Sequence, residues 1–360
     1  MEVVTQGFVK DKKVLLRYDI DVALRLAPLA QGKPADEREM VVSEDFKLKA
    51  GLSTLRFCLE NASKVIIIGH LGRPAPPEER DEPPSPSPDL SAKPIQEWLQ
   101  QELGQDVELA TSLEEAAKST STLVLLENIR FFHGEVEASS DFAHKLASLG
   151  DVYVNEAFSA HTPAASTTIV PTLMPHAAGL HFIEEVRVLR EVRDNPKKPF
   201  VAIMGGAKVE DKLPVIGVLA KNADAVLVGG KLASEFTFDD AIAQQNMNNV
   251  LIGKLNEDGM DIAAETTESW RNLIMGAKMI VWNGPLGKFE DPKYDQSKKV
   301  AEMVLESGAE IVIGGGDTVA LLGGLGILGK YEERGFVSVG GGAMLKLLAD
   351  GTLPTIEALK

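Results

Sequence analysis

The chain of 360 residues contains a single cysteine, Cys58, which excludes any disulfide framework within it. Cys58 sits in the run LRFCLEN, where apolar residues recur at helical spacing and a thiol reads as core filling rather than as a nucleophile. Long hydrophobic runs are missing too: no stretch of 18 apolar residues occurs, so no membrane-spanning helix is expected. The opening MEVVTQGFVKDKK lacks the apolar centre of a secretory leader, and the expected location is the cytoplasm. Positive charge is scarce, with 37 Lys and Arg against 53 Asp and Glu and a net charge of -16. General nucleic-acid binding needs a basic footprint and is therefore disfavoured. An anionic ligand would have to be held by local cations and backbone amides.

What is present suits a globular protein of two cores. Hydrophobic residues make up 44% and charged residues 25%, and a prior of roughly 150 residues per domain divides the chain in two. Short apolar runs recur, each followed by a helical pattern. In the first half they are KVLLRYDIDV (13–22), KVIIIGHLGR (64–73), TLVLLENIRF (122–131) and DVYVNEAF (151–158). In the second half they are FVAIMGGAK (200–208), AVLVGGK (225–231), MIVWNGPLG (279–287), EIVIGGGD (310–317) and FVSVGGGA (336–343). Unbroken Val, Ile and Leu without alternation predict strands buried on both faces of parallel sheets, and the strand–helix alternation predicts an α/β fold. The segment 183–195 places Ile183, Val186, Leu189 and Val192 on one helical face between the two sets of strands and reads as an inter-domain helix. Residues 74–94, with eight prolines, read as an exposed loop. Residues 25–42 read as a loop or hairpin.

Ligands of open α/β sheets bind beyond the carboxyl ends of the strands, so the residues at those ends carry the functional reading. The first half presents Asp19, Asp21, His70, Arg73, Arg130 and Asn155, a polar set rich in positive side chains. The second half presents glycine turns at 205–206, 229–230, 284, 314–316 and 340–342. Such turns let amides approach an anion at a helix N-terminus, although tight strand-to-helix turns need glycine in any case. Asp317, directly after the triple glycine, suits a Mg²⁺ ligand or a plain helix N-cap. Lys208 and Lys212 lie four apart in GGAKVEDK, either as a solvated pair or as two phosphate-directed ammonium groups. His70 and Arg73 favour an anion contact, and Arg130 either joins them or bridges to Glu127. Gly324, Gly326 and Gly329 match a GxGxxG spacing, but they follow a helical pattern instead of a strand, so the dinucleotide reading fails.

Taken in order, GHLGRP, LLENIRF, DVYVNEAF, GGAKVEDK, IVWNGPLGKFE, IGGGDT and VGGGAMLKLL resemble phosphoglycerate kinase from about residue 7 to the end. The resemblance implies two αβα domains with mainly parallel sheets, joined by a hinge helix with a cleft between them. It divides the chain into an acceptor (3-phosphoglycerate) domain at 1–180, an inter-domain helix at 181–198, a nucleotide-binding domain at 199–345, and a segment 346–360 returning to the first domain. It implies a glycolytic transferase that exchanges a phosphoryl group between 1,3-bisphosphoglycerate and ADP, giving 3-phosphoglycerate and ATP. The implied enzyme is a cytoplasmic monomer that uses Mg²⁺, with small-molecule substrates and neither nucleic-acid nor membrane partners. Carried over by position, Lys208 and Lys212 match phosphate-contacting lysines and Asp317 the metal-binding aspartate. Gly315, Gly316 and Thr318 match the phosphate loop, Gly341 and Gly342 the cradle of the transferring group, and Glu290 a glutamate near the ribose. On the acceptor side Asp19, His70, Leu71, Gly72, Arg73 and Arg130 match, and Lys208, Lys47, Gly316 and Gly342 form the implied catalytic set.

Three acceptor positions depart from the family pattern. Its RxDxN motif ends in Asp21 rather than Asn. Its QRIKAA arginine aligns with Lys47 in FKLKAG. An arginine of its AFGTAHRA stretch aligns without gaps with Pro163 in AFSAHTPA. An ammonium keeps the charge at Lys47 but not the planar two-pronged contact. The readings left open are a phosphoglycerate kinase with an atypical acceptor site, a relative using another carboxylic acid, and a nucleotide-binding relative without turnover.

Overall fold

The computed structural model describes residues 1–28, 39–74, 87, 89–206, 212–235 and 248–360. The chain forms two compact units, one of Met1–Glu184 with Leu353–Lys360 and one of Glu185–Thr352. The first contains β1 (Lys13–Arg17), β2 (Leu24–Leu26), β3 (Met40–Val42), β4 (Lys64–Ile68), β5 (Glu108–Ala110), β6 (Leu123–Leu126), β7 (Val152–Asn155) and β8 (His176–Ala178). The second contains β9 (Phe200–Met204), β10 (Ala225–Val228), β11 (Val250–Ile252), β12 (Met279–Asn283), β13 (Glu310–Gly314) and β14 (Gly335–Val337).

In the first unit a six-stranded sheet runs in the order β5-β6-β4-β1-β7-β8, with every pair parallel. Alternate residues point to opposite faces. Val14, Leu16, Val65, Ile67, Leu123, Leu125, Val152 and Val154 meet Leu48, Leu55 and Cys58 of the helix Phe46–Asn61 and Ile95 and Leu99 of the helix Lys93–Leu103. The intervening Leu15, Ile66, Val124 and Tyr153 are equally buried, so both faces of the sheet are covered. Burial pushes the Cys58 thiol up to about 12, which leaves it an unreactive part of the core. Outside this sheet, β2 and β3 pair antiparallel, Leu24 opposite Val42, which resolves the loop-or-hairpin stretch into two hairpin arms.

The second sheet has the order β11-β10-β9-β12-β13-β14 and is also parallel throughout. Its course reverses between β9 and β12, the point where doubly wound sheets open a ligand crevice.

The chain passes from one unit to the other within the helix Leu180–Asp194. In the first unit the Glu156 carboxylate accepts the N–H of His181 at 3.1 Å and of Phe182 at 3.4 Å, and Leu180 N–H donates to Thr54 Oγ1 at 2.8 Å. These bonds satisfy amides that a helix start leaves unpaired. In the second unit Glu185 accepts from Val339 N at 2.7 Å, and Arg193 Nε donates to Leu348 O at 3.0 Å. The helix Gly341–Asp350 belongs to this unit and ends at Gly351 in the left-handed region. The return to the first unit therefore begins at Leu353, seven residues after the position the sequence suggested. Leu353, Ile356 and Leu359 are buried there, beside the π-helical turn Ala165–Ile169.

Candidate active site

In the first unit the polar residues gather at the carboxyl ends of β1, β4, β6 and β7. Arg17, the last residue of β1, is 1% exposed. It donates from Nε to Ser166 Oγ at 3.0 Å, from Nη1 to Tyr18 O at 2.8 Å, and from Nη2 to His70 Nδ1 at 2.7 Å. Ser166 in turn donates to Glu135 through its hydroxyl at 2.6 Å and its amide at 3.0 Å. Burial raises the Glu135 carboxyl, and the Arg17 charge pulls against that rise. This buried chain decides the state of His70. A guanidinium can only donate, so Nδ1 accepts and the ring proton sits on Nε2. Burial, then the charges of Arg17, Arg130, Lys47 and Arg73, hold His70 well below its ordinary value of 6.5, so a neutral imidazole presents an N–H at this edge.

Asp21 Oδ1 accepts Gly72 N–H at 2.9 Å, while Oδ2 lies 3.7 Å from His70 Nε2 and 3.9 Å from Lys47 Nζ. Asp19, 4% exposed, accepts the Asp21 amide at 3.3 Å and the Ser159 hydroxyl. Lys47, on the first turn of the helix Phe46–Asn61, donates to Asp21 O at 2.9 Å and to Ser159 Oγ at 3.4 Å, and lies 3.8 Å from Asp19 Oδ1. The three residues Asp19, Asp21 and Lys47 are thus one group. Leu71 buries its side chain, and its N–H and C=O are both taken by the Asn128 amide at 3.1 and 2.7 Å. Gly72 gives its N–H to Asp21 and its C=O to Arg130. Within GHLGR, the side chains left to face a ligand are therefore His70 and Arg73. Arg73 is exposed, with no ion pair among the described residues. The alternative bridge from Arg130 to Glu127 is not formed: Glu127 accepts from Ser91 Oγ, Ala92 N and Asn128 N. Pro163 is exposed.

In the second unit the glycine turns meet at the reversal between β9 and β12. Gly205 N donates to Asn283 O at 2.9 Å and Gly206 N to Pro285 O at 2.7 Å. A side chain on Gly205 would strike the Pro285 and Gly284 carbonyls, and Gly284, with φ +92°, would strike Gly205. Glycine is required there because two backbones touch. Lys212, 6% exposed, donates to Gly205 O. Thr318 is fully buried; its hydroxyl accepts Gly284 N–H at 2.7 Å and donates to Gly314 O at 3.0 Å. Its side chain therefore locks two turns together. Asn283 Nδ2 is buried without a hydrogen-bond partner among the described residues, about a side-chain contact away from Gly315. The helices Gly316–Gly324 and Gly341–Asp350 begin beside one another, since a Cβ on Gly341 would lie 2.6 Å from Gly315 Cα. Gly316, Asp317 and Gly342 are exposed at these starts, and Glu290 is exposed in a turn. Lys208 lies outside the described residues. Among the described residues no three His, Cys, Asp or Glu side chains gather as a metal site.

The sequence reading passed over Asn128, Ser159, Glu135 and Ser166. Asn128 had a weak signal, since it stands inside LLENIRF; the others join the site only through packing.

Two parallel α/β units, one with a cation-bearing edge and the other with glycine turns at paired helix starts, define a protein built for phosphorylated ligands. The family model for phosphoglycerate kinase matches residues 4–254 and 238–351. The phosphoglycerate kinase of Desulfovibrio desulfuricans is 34% identical over 396 residues, covering 97% of this chain and 96% of that one. That of Solibacter usitatus is 33% identical, covering 97% of both. Among solved structures, phosphoglycerate kinase from Pyrococcus horikoshii has a TM-score of 0.79 at 27% identity, covering 100% of this chain and 98% of that one. The enzyme from Coxiella burnetii has a TM-score of 0.78, also at 27% identity, with 99% and 98% covered. The chain belongs to the phosphoglycerate kinase family.

Proposed function

We propose that the chain catalyses the reversible transfer of a phosphoryl group between 1,3-bisphosphoglycerate and ADP, giving 3-phosphoglycerate and ATP. Family membership supports the reaction. The observation that carries the assignment of roles is the buried line Glu135–Ser166–Arg17–His70, which delivers a neutral N–H to an edge flanked by Arg73, Arg130 and Lys47. In the direction of ATP use, a carboxylate oxygen of 3-phosphoglycerate attacks the γ-phosphorus. The new O–P bond forms as the bond from the γ-phosphorus to the β,γ-bridging oxygen breaks, and that oxygen leaves on ADP. Such transfer asks the protein to position reactants and neutralise charge.

The acceptor's phosphate belongs with His70, Arg73 and Arg130, its carboxylate with Lys47, and its hydroxyl, as a donor, with Asp19 and Asp21. The nucleotide phosphates belong with Lys208, Lys212 and the helix starts at Gly315–Gly316 and Gly341–Gly342, and the ribose with Glu290. Mg²⁺ at phosphate sites takes one or two carboxylates and completes its shell with phosphate oxygens and water. The single exposed carboxylate of Asp317, on the first turn of its helix, fits that role, and the ion would neutralise charge on the phosphates. We read the first unit as the acceptor domain, the second as the nucleotide domain, the helix Leu180–Asp194 as the hinge, and the protein as a cytoplasmic monomer. A coupled assay with 3-phosphoglycerate and Mg-ATP tests the proposal: turnover is expected, and its absence at millimolar substrate refutes it.

A further inference from the structure

We propose that Ser159 is a positioning residue for Lys47, and that this serine and lysine act together in place of the glycine and arginine of the family pattern. The inference rests on the kinase reading above. Ser159 stands where the AFGTAHRA pattern has its glycine, and Lys47 where QRIKAA has its arginine. The two positions are 112 residues apart in sequence, and the topology brings them together. The sheet reverses its course between β1 and β7; Asp19 and Asp21 follow β1, Ser159 follows β7, and such a reversal is where a ligand crevice opens.

The hydrogen-bond directions at Ser159 are fixed by chemistry. A carboxylate can only accept and an ammonium can only donate. The serine's one proton therefore goes to Asp19, and its lone pair faces Lys47 Nζ at 3.4 Å. Asp19 is already held by the Asp21 amide. With one Asp19 oxygen occupied by Ser159, Lys47 stays 3.8 Å from the other instead of closing on it. Its shortest hydrogen bond is to a neutral carbonyl, Asp21 O at 2.9 Å. An ammonium is a point charge on a flexible stem, without the rigid fork of a guanidinium. The serine gives it the fixed direction that it lacks and holds it at the long end of ion-pair distance, 3.8 Å from Asp19 and 3.9 Å from Asp21. With glycine at 159, Lys47 would pair directly with Asp19 and turn away from the acceptor. With arginine at 47, the broader guanidinium would meet the serine hydroxyl.

The test is a cycle of the native enzyme, Ser159→Gly, Lys47→Arg and the double variant, with kcat and KM measured for 3-phosphoglycerate and for ATP. Each single variant is expected to lose about tenfold or more in kcat, with KM for ATP within twofold. The double variant should return to within about threefold of the native enzyme. Ser159→Ala, which keeps a Cβ but no hydroxyl, should match Ser159→Gly, and it replaces that variant in the cycle if the glycine protein does not fold. A Ser159→Gly enzyme within twofold of native, or single losses that multiply in the double variant, would overturn the inference while leaving the kinase reading intact. A native protein with no turnover of 3-phosphoglycerate would overturn both.

Discussion

Glu156 is a fully buried carboxyl at the start of the helix Leu180–Asp194, and burial pushes it up to about 8. The His181 charge, the amides of Phe182 and His181, and Thr54 all favour the ionised form, but desolvation outweighs them. An acid whose folded value exceeds its ordinary value of 4.5 contributes stability that is complete below 4.5 and is lost as pH rises towards 8. The interval from 4.5 to pH 7, at about 1.4 kcal/mol per pH unit, amounts to about 3 kcal/mol. Glu156→Gln resembles the protonated acid and removes the ionisable group. In urea titrations the variant should match the native protein near pH 4.5 and exceed it by about 3 kcal/mol at pH 7. Trp98 reports on the first unit once Trp270 and Trp282, both in the second, are replaced by Phe. A stability difference that does not change with pH, or a variant less stable than the native protein at pH 7, would refute the reasoning.

Further outcomes are expected at the two edges. Asp21→Asn keeps an acceptor for Gly72 N–H but removes a negative charge beside His70 and Lys47; it should lower KM for 3-phosphoglycerate about fivefold, roughly 1 kcal/mol for one screened charge pair, with KM for ATP unchanged. Calorimetry should detect Mg-ADP binding to the isolated chain without acceptor. Thr318→Val removes two buried bonds, leaves Gly284 N–H unpaired, and should destabilise the second unit by about 1–3 kcal/mol while weakening Mg-ADP binding. Because His70 is held neutral, it should add no step near pH 6.5 to the pH profile of kcat/KM beyond that of the acceptor's own phosphate. Its depressed value also means that stability is lost as pH falls below about 6.5, as urea titrations of native and His70→Gln proteins can compare.

Eight of the nine apolar runs were legible because each forms a strand buried on both faces, and burial on both faces leaves an uninterrupted signal; the ninth forms β14, a half-buried three-residue edge strand, and was marked by the triple glycine that follows it. β5, β8 and β11 were not: each is a three-residue strand at a sheet edge, too short for any period to register. The same distinction holds at the site. Asp19, His70 and Arg73 stand directly after strands, and the rule of carboxyl ends finds them. Ser159 gains meaning only beside Asp19 and Lys47, and Glu135 only through Ser166 and Arg17, contacts between residues far apart in the chain. Glu156 left a trace, an acid within the apolar run DVYVNEAF, but its link to the start of a helix some 25 residues on required the fold.

The return of Leu353–Lys360 to the first unit sets an order of events during synthesis. These residues pack beside the turn Ala165–Ile169, which contains Ser166, the link between Glu135 and the arginine that orients His70. A ribosome releases the whole of Glu185–Thr352 before it releases the residues that complete this packing. The first unit, although synthesised before the second, therefore lacks the packing beside its Ser166 turn until Leu353–Lys360 have been made.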